Sequence, residues 1–209
     1  MEEKIGILLI IMIFVSFLGF IVENIWLSIT KGYIDNRNMK LPFLLGYGLF
    51  IIMLYLSLGT PDTLFISTTI PILENKIVKR ICYFIFVFLL VSIGEIILGY
   101  ITEHLFGFYY WNYEKLPLHI TRYTSIPTSI IFTIIIKFFM QYCFNPLYNF
   151  ISLFNNKFTI IISVIISLIL FIDFISSFFK MHKTAKPNQI WKINIDKNIK
   201  KSNLRYHKT

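Results

Sequence analysis

Five apolar runs, Ile5–Ile29, Leu41–Leu58, Ile81–Leu105, Ile126–Cys143 and Phe158–Phe179, take up about half of the chain's 209 residues. A bilayer's hydrocarbon core, roughly 30 Å thick, is crossed by about 20 apolar residues in a helix. Lipid offers the backbone no hydrogen-bond partner, so only helices and closed barrels cross it. Isoleucine is abundant, but the apolar/polar alternation of a barrel strand is absent. The runs therefore predict an all-α integral membrane protein, a bundle of about five transmembrane helices. The second run is short and carries Gly46 and Gly48. A sixth element is conceivable at Thr63–Leu73, which is too short to span and holds Pro71. It reads either as a re-entrant or interfacial piece, or as an extension of the second helix beyond a break at Gly59-Thr60-Pro61.

Composition agrees. The chain is 56% hydrophobic and only 15% charged, against about 25% charged in soluble domains. Its net charge of +9 is uneven: from Lys180 onward there are nine Lys and Arg and one acid, Asp196. Basic residues beside a span suit the cytoplasmic, anionic leaflet. The expected organisation is a transmembrane domain over 1–180 and a basic, flexible cytoplasmic tail over 181–209. A nucleic-acid role for that tail is disfavoured because no folded module accompanies it. With the tail inside, five spans place the Lys31–Lys40 and Lys115–Arg122 loops inside as well. Lys4, Lys76, Lys79, Arg80 and Lys157 then fall outside. The acidic start, MEEKIG, is unlike a signal peptide, so the first run is read as a retained span of a multi-pass cell-membrane protein. Cys82 and Cys143 show neither metal-ligand spacing nor a disulfide framework. His104 and His119 are isolated, and no metal or cofactor is expected.

Acids inside spans carry the chemistry. A carboxylate in hydrocarbon is costly and by default marks a functional site. Glu23 lies near the end of the first span, with Trp26 nearby. Glu95 lies deep in the third. Glu103 follows eight residues later, about 12 Å along an α-helix and roughly 80° around it, so these two acids are not a close dyad. Arg37, Arg122 and Lys137 are the candidate partners, and Arg122 could fork onto a carboxylate. The third span runs out into Phe108, Tyr109, Tyr110, Trp111 and Tyr113, an aromatic belt of the kind found at a membrane–water boundary. Each residue also has a structural reading. The acids, and Asp173 in the last span, could be polar glue between helices. Trp111 and Tyr113 could be interface anchors, and the arginines topology charges.

In order along the chain stand Gly19-Phe20-Ile21-Val22-Glu23, Asn36-Arg37-Asn38, Pro42 with Gly46-Tyr47-Gly48, then Glu95, Gly99, Glu103, Phe106 and Gly107, then Trp111-Asn112-Tyr113, Thr121-Arg122 and Asn145-Pro146. This ordered set resembles the CmpB-like family, small bacterial multi-pass membrane proteins named as type IV ABC-transporter permeases. The resemblance covers about the first 150 residues. It departs from the family pattern at Asn112 for Asp, Asn38 for Gly and Phe20 for Trp, and a Trp-Gly of the fourth span is absent. The resemblance implies a permease-like subunit of a transport system. Its substrate- or ion-binding candidates are Glu23, Arg37, Glu95, Glu103, Trp111, Asn112, Tyr113 and Arg122.

The sequence carries no P-loop pattern, so an ATPase partner would be a separate chain. It carries no Gly-x-Ser-x-Gly or His-Glu-x-x-His signature either. The modest length favours a homo-oligomer or a partner subunit. Two further classes stay open: a non-catalytic membrane partner or sensor working through its basic tail, and a membrane-embedded enzyme acting on a lipid-linked substrate. No nucleic-acid partner and no internal repeat is expected.

Overall fold

A computed structural model describes residues 2–64, 75–154 and 156–195. In chain order the elements are α1 (Glu2–Lys31), β1 (Tyr33–Asp35), α2 (Leu45–Leu58), α3 (Lys76–Phe106), β2 (His119–Thr121), β3 (Thr124–Ser125), α4 (Ile126–Phe138), α5 (Phe144–Leu153), α6 (Lys157–Thr184) and β4 (Lys192–Asn194). A π turn, Phe139–Cys143, joins α4 to α5.

Among the described residues, four helices are long and apolar enough to cross a membrane: Glu3–Lys31, Lys76–Phe106, Ile126–Leu153 and Lys157–Thr184. The expected second span differs. It forms a helix of 14 residues, about 21 Å long, well short of a hydrocarbon core. It starts at Leu45 rather than Leu41 because the chain before it is held elsewhere: the Lys40 and Leu41 amides donate to the Asp173 carboxylate at 3.3 and 3.0 Å. The fourth span is longer than expected and continues through the π turn to Leu153. Pro146 lies just beyond that turn. It has no N–H to donate, and its ring crowds the carbonyl four residues back. Local widening accommodates this, with the Phe144 amide bonding to the Phe139 carbonyl. The possible sixth element at Thr63–Leu73 falls largely on residues outside the described ones.

The chain divides into two compact units. The first comprises residues 1–50, 156–183 and 187–209. Here α1 and the start of α2 approach closely at Gly48, where a Cβ would sit 2.2 Å from the Met12 carbonyl oxygen. Gly46 has open space around it, so only one of the two glycines serves close packing. β4 pairs antiparallel with β1, Ile34 opposite Ile193, and the Lys192 ammonium lies 3.5 Å above the Tyr33 ring. Thus α6 runs on to Thr184 and residues 192–194 form a strand within the stretch expected as a flexible tail. Residues 196–209 lie outside the described ones.

The second unit comprises residues 51–155 and 184–186. α3 is capped at its start by the Asn75 side chain, which accepts from the Ile77 and Val78 amides, and at its end by Gly107 in the left-handed conformation. The short β2–β3 ladder follows, and the Ser125 side chain caps α4. Many apolar side chains of α3 are exposed, among them Ile77, Ile81, Ile93, Ile97 and Leu98. Lipid, not water, suits such a surface.

Candidate functional site

In the first unit, Glu23 near the end of α1 is the centre of a polar cluster. Tyr47, in the first turn of α2, donates its hydroxyl to Glu23. Arg37 meets the other carboxylate oxygen at 3.1 Å and Asp35 at 3.8 Å. All three charged side chains are mostly buried, 13–20% exposed, so this pair is less screened than a surface ion pair. The loop that carries Arg37 is unusual: Arg37 and Asn38 have φ of 48° and 65°. Asparagine tolerates this left-handed region better than most residues, which explains how Asn38 stands where the resembling family has glycine. The loop is braced by Asn36, which donates to the Met39 and Asn188 carbonyls at 2.7 and 2.8 Å and accepts from the Ile190 amide at 3.0 Å.

In the second unit, Glu103 near the end of α3 accepts the Tyr123 hydroxyl, and Arg122 stands 3.7 Å from its other oxygen. Arg122 also donates to the Tyr109 hydroxyl at 2.5 Å and lies 3.7 Å from Glu114. The Tyr109 oxygen, then the Glu103 and Glu114 carboxylates, push the Arg122 guanidinium above its ordinary range, so it stays charged. The Tyr123 hydroxyl is pushed up by the bond it makes with Glu103 and then by burial. Glu95, two turns earlier on α3, accepts from Thr124 at 2.6 Å and Ser129 at 3.2 Å.

The two clusters share one construction. In each, a glycine stands four residues before the acid, one turn down the same helix face. A Cβ on Gly19 would come within 2.6 Å of the Tyr47 ring, and one on Gly99 within 2.5 Å of the Tyr123 ring. The missing side chain makes a notch in which the ring lies. About 6 Å further along the helix, its hydroxyl reaches the carboxylate. The sequences agree: Leu18-Gly19-Phe20-Ile21-Val22-Glu23-Asn24-Ile25-Trp26 and Leu98-Gly99-Tyr100-Ile101-Thr102-Glu103-His104-Leu105-Phe106. Leucine, glycine, isoleucine and glutamate recur in register, and aromatic matches aromatic at two positions. The sequence reading did not pick out this nine-residue likeness. Tyr47 and Tyr123 were also missed. Their signal was the glycine one turn before each acid.

The remaining candidates support the second cluster. Trp111 donates its indole N–H to the Tyr123 carbonyl at 2.8 Å, and the Tyr113 amide donates to the Arg122 carbonyl at 2.8 Å. Asn112 closes a turn: its Oδ1 accepts the Glu114 amide at 2.8 Å and its Nδ2 donates to the Glu114 carboxylate at 3.3 Å. An aspartate would keep the first bond and replace the second with repulsion. Lys137, a candidate partner for the acids, lies 5.9 Å from the centre of the Phe84 ring instead. Among the described residues no group of three or more His, Cys, Asp or Glu could hold a metal ion.

The family model described as "Putative ABC-transporter type IV" matches residues 10–178. The chain belongs to this family. No curated protein and no solved structure matches it. The match to the type IV ABC-transporter family contains both Gly-x-x-x-Glu segments, the Arg37 loop and the whole stretch from Trp111 to Ser129.

Proposed function

We propose that the chain is a permease-like membrane subunit of a transport system. It binds a small solute or ion through Glu23 and Arg37 in one unit and through Glu103 and Arg122 in the other. Glu95, Trp111, Asn112 and Tyr113 belong to the second site. The observation that carries this reading is the repeated tyrosine–glutamate–arginine device. Ionisable groups within spans face the bundle interior, pair with one another and mark substrate or ion pathways. An acid and an arginine held together near a helix end also give a ligand two opposite charges to exchange with. Nucleotide hydrolysis would come from a separate ATPase chain, and a second copy of this chain could complete the assembly.

The test is to purify the protein in mild detergent and identify co-purifying small molecules by mass spectrometry, for wild type, Glu23→Gln and Glu103→Gln. A species bound to wild type and lost from either folded variant supports the proposal. A species retained by both variants, or none bound to wild type, counts against it.

A second reading, a membrane partner working through its tail, draws on one observation. Residues 188–194 are tied to the Arg37 loop by Asn36, Asn188 and the β1–β4 ladder.

A further inference from the structure

The ladder between β1 and β4, in the first unit, has two unlike faces. Its pairing extends past the strand ends: the Asn36 amide donates to the Trp191 carbonyl at 3.4 Å, and the Ile195 amide to the Gly32 carbonyl at 2.9 Å. Side chains alternate along a strand, so Trp191, Ile193 and Ile195 share one face, with Ile34 opposite Ile193. Trp191, Ile193 and Ile195 are 37%, 56% and 56% exposed. The other face holds Tyr33, Asp35, Lys192 and Asn194. There the Lys192 ammonium lies over the Tyr33 ring and Asp35 meets Arg37.

Neither water nor hydrocarbon suits such a ladder. Two strands are marginal in water unless their apolar face is covered, and the protein leaves more than half of Ile193 and Ile195 bare. The strand edge is equally unfit for lipid tails. In an antiparallel ladder the amides point alternately toward the partner strand and away from it. The Asp35 amide points away from β4 and is taken by the Asn24 side chain of α1 at 2.8 Å, so β4 is the outer strand. Its Lys192 and Asn194 amides point outward, and an open edge does not face hydrocarbon. The boundary between headgroups and acyl chains satisfies both conditions, and Trp is enriched there. Contacts with α1 agree on the depth. The Trp191 ring meets the Phe20 ring edge-on, 6.3 Å between centres. At the other end Ile195 bonds to Gly32, just after α1 ends at Lys31. The face therefore starts against the apolar part of a span and finishes at its basic terminus.

Charge selects the lipid. Lys31, Lys40, Lys180, Lys183 and Lys192 are exposed on these elements and on α6. The neighbouring acids are turned inward: Glu23 and Asp35 onto Arg37, and Asp173 onto the Lys40 and Leu41 amides. A surface charged in this way attracts anionic headgroups. We propose that the β1–β4 ladder is a lipid-docking surface. Its face of Ile34, Trp191, Ile193 and Ile195 lies in the acyl–headgroup boundary of an anionic leaflet, with the lysines on the headgroups. This goes beyond the permease reading and holds whether or not the acids bind a solute.

The test is tryptophan fluorescence of the full chain reconstituted in vesicles of phosphatidylcholine and phosphatidylglycerol. The chain has three Trp, and the difference between wild type and Trp191→Phe isolates the emission of Trp191. That emission is predicted to be quenched by lipids brominated near the top of the acyl chain and protected from aqueous acrylamide. At equal content, brominated phosphatidylglycerol is predicted to quench more than brominated phosphatidylcholine, and Lys31→Gln/Lys192→Gln to remove that preference. If Trp191→Phe does not fold, the difference between Ile193→Trp and wild type reads the same face with the same quenchers. Quenching by acrylamide instead of lipid would place the face in water. Quenching by neither would place it against protein, a second copy of this chain included. Equal quenching by the two lipids would remove the anionic leaflet. Each of these results overturns the proposal.

Discussion

Replacing Gly99 with alanine puts a methyl group where the Tyr123 ring lies. The added carbon would stand 2.5 Å from the ring, against the 3.4 Å at which ordinary contact begins. The ring must therefore retreat by 3.4 − 2.5, about 0.9 Å. Tyr123 has two alternatives. If it stays, the overpacking costs about 1–3 kcal/mol. If it moves, the hydroxyl leaves Glu103, and a hydrogen bond to a charged group is worth about 1.5–3 kcal/mol. The cost is whichever is smaller, so Gly99→Ala is expected to be about 1–3 kcal/mol less stable than the same change at an open position of this helix. Gly94 is the internal control. It lies on the same helix with nothing within 4 Å of its would-be Cβ. There alanine is expected to be neutral or to stabilise by up to about 1 kcal/mol, from helix propensity alone. The assay is thermal or denaturant unfolding of both purified variants in the same detergent. Truncating the ring in Gly99→Ala/Tyr123→Ala should recover part of the overpacking loss. If Gly99→Ala unfolds with Gly94→Ala, the notch does not seat the ring and the reasoning fails.

Further outcomes follow from the same geometry. Arg37→Ala should destabilise more than Arg122→Ala, because the Arg37–Glu23 pair is mostly buried while Arg122 is 42% exposed. Exposed pairs are worth about 0–1 kcal/mol, and parallel melts of the two variants check the ranking. Ending the chain at Lys186 removes Asn188 and Ile190 from the Asn36 side chain; hydrogen exchange should then quicken at residues 33–39 and stay unchanged in α3. The Tyr123 hydroxyl is raised above 10 by its bond to Glu103. Its contribution is complete below the unfolded value and is lost as pH rises through the higher folded one. Wild type should therefore lose its stability margin over Tyr123→Phe on going from neutral to strongly alkaline pH.

The membrane class and four of the spans were legible because unbroken apolar length is a local signal. The short second helix was less so. Leu41–Phe43 are as apolar as a span, but the Lys40 and Leu41 amides are claimed by Asp173, more than 130 residues away. The acids and arginines stood out singly as charges out of place. Arg37 and Arg122 were legible as their partners, but the groups that organise the pairs are ordinary in sequence: Tyr47, Tyr123, Thr124 and Ser129 look like any span-edge residues. The nine-residue likeness was readable, yet it is short and diluted by apolar residues common to every span. Its meaning rests on two glycines whose notches appear only once tyrosines from other segments are seen lying in them.

The central claim is that one tyrosine–glutamate bond is built twice. Two double-mutant cycles test it most directly: Tyr47→Phe with Glu23→Ala, and Tyr123→Phe with Glu103→Ala, each read as unfolding free energy. A coupling of about 1.5–3 kcal/mol in both cycles is predicted for a hydrogen bond to a charged group. A coupling within about 0.5 kcal/mol of zero in either cycle, the range of independent sites, would contradict it.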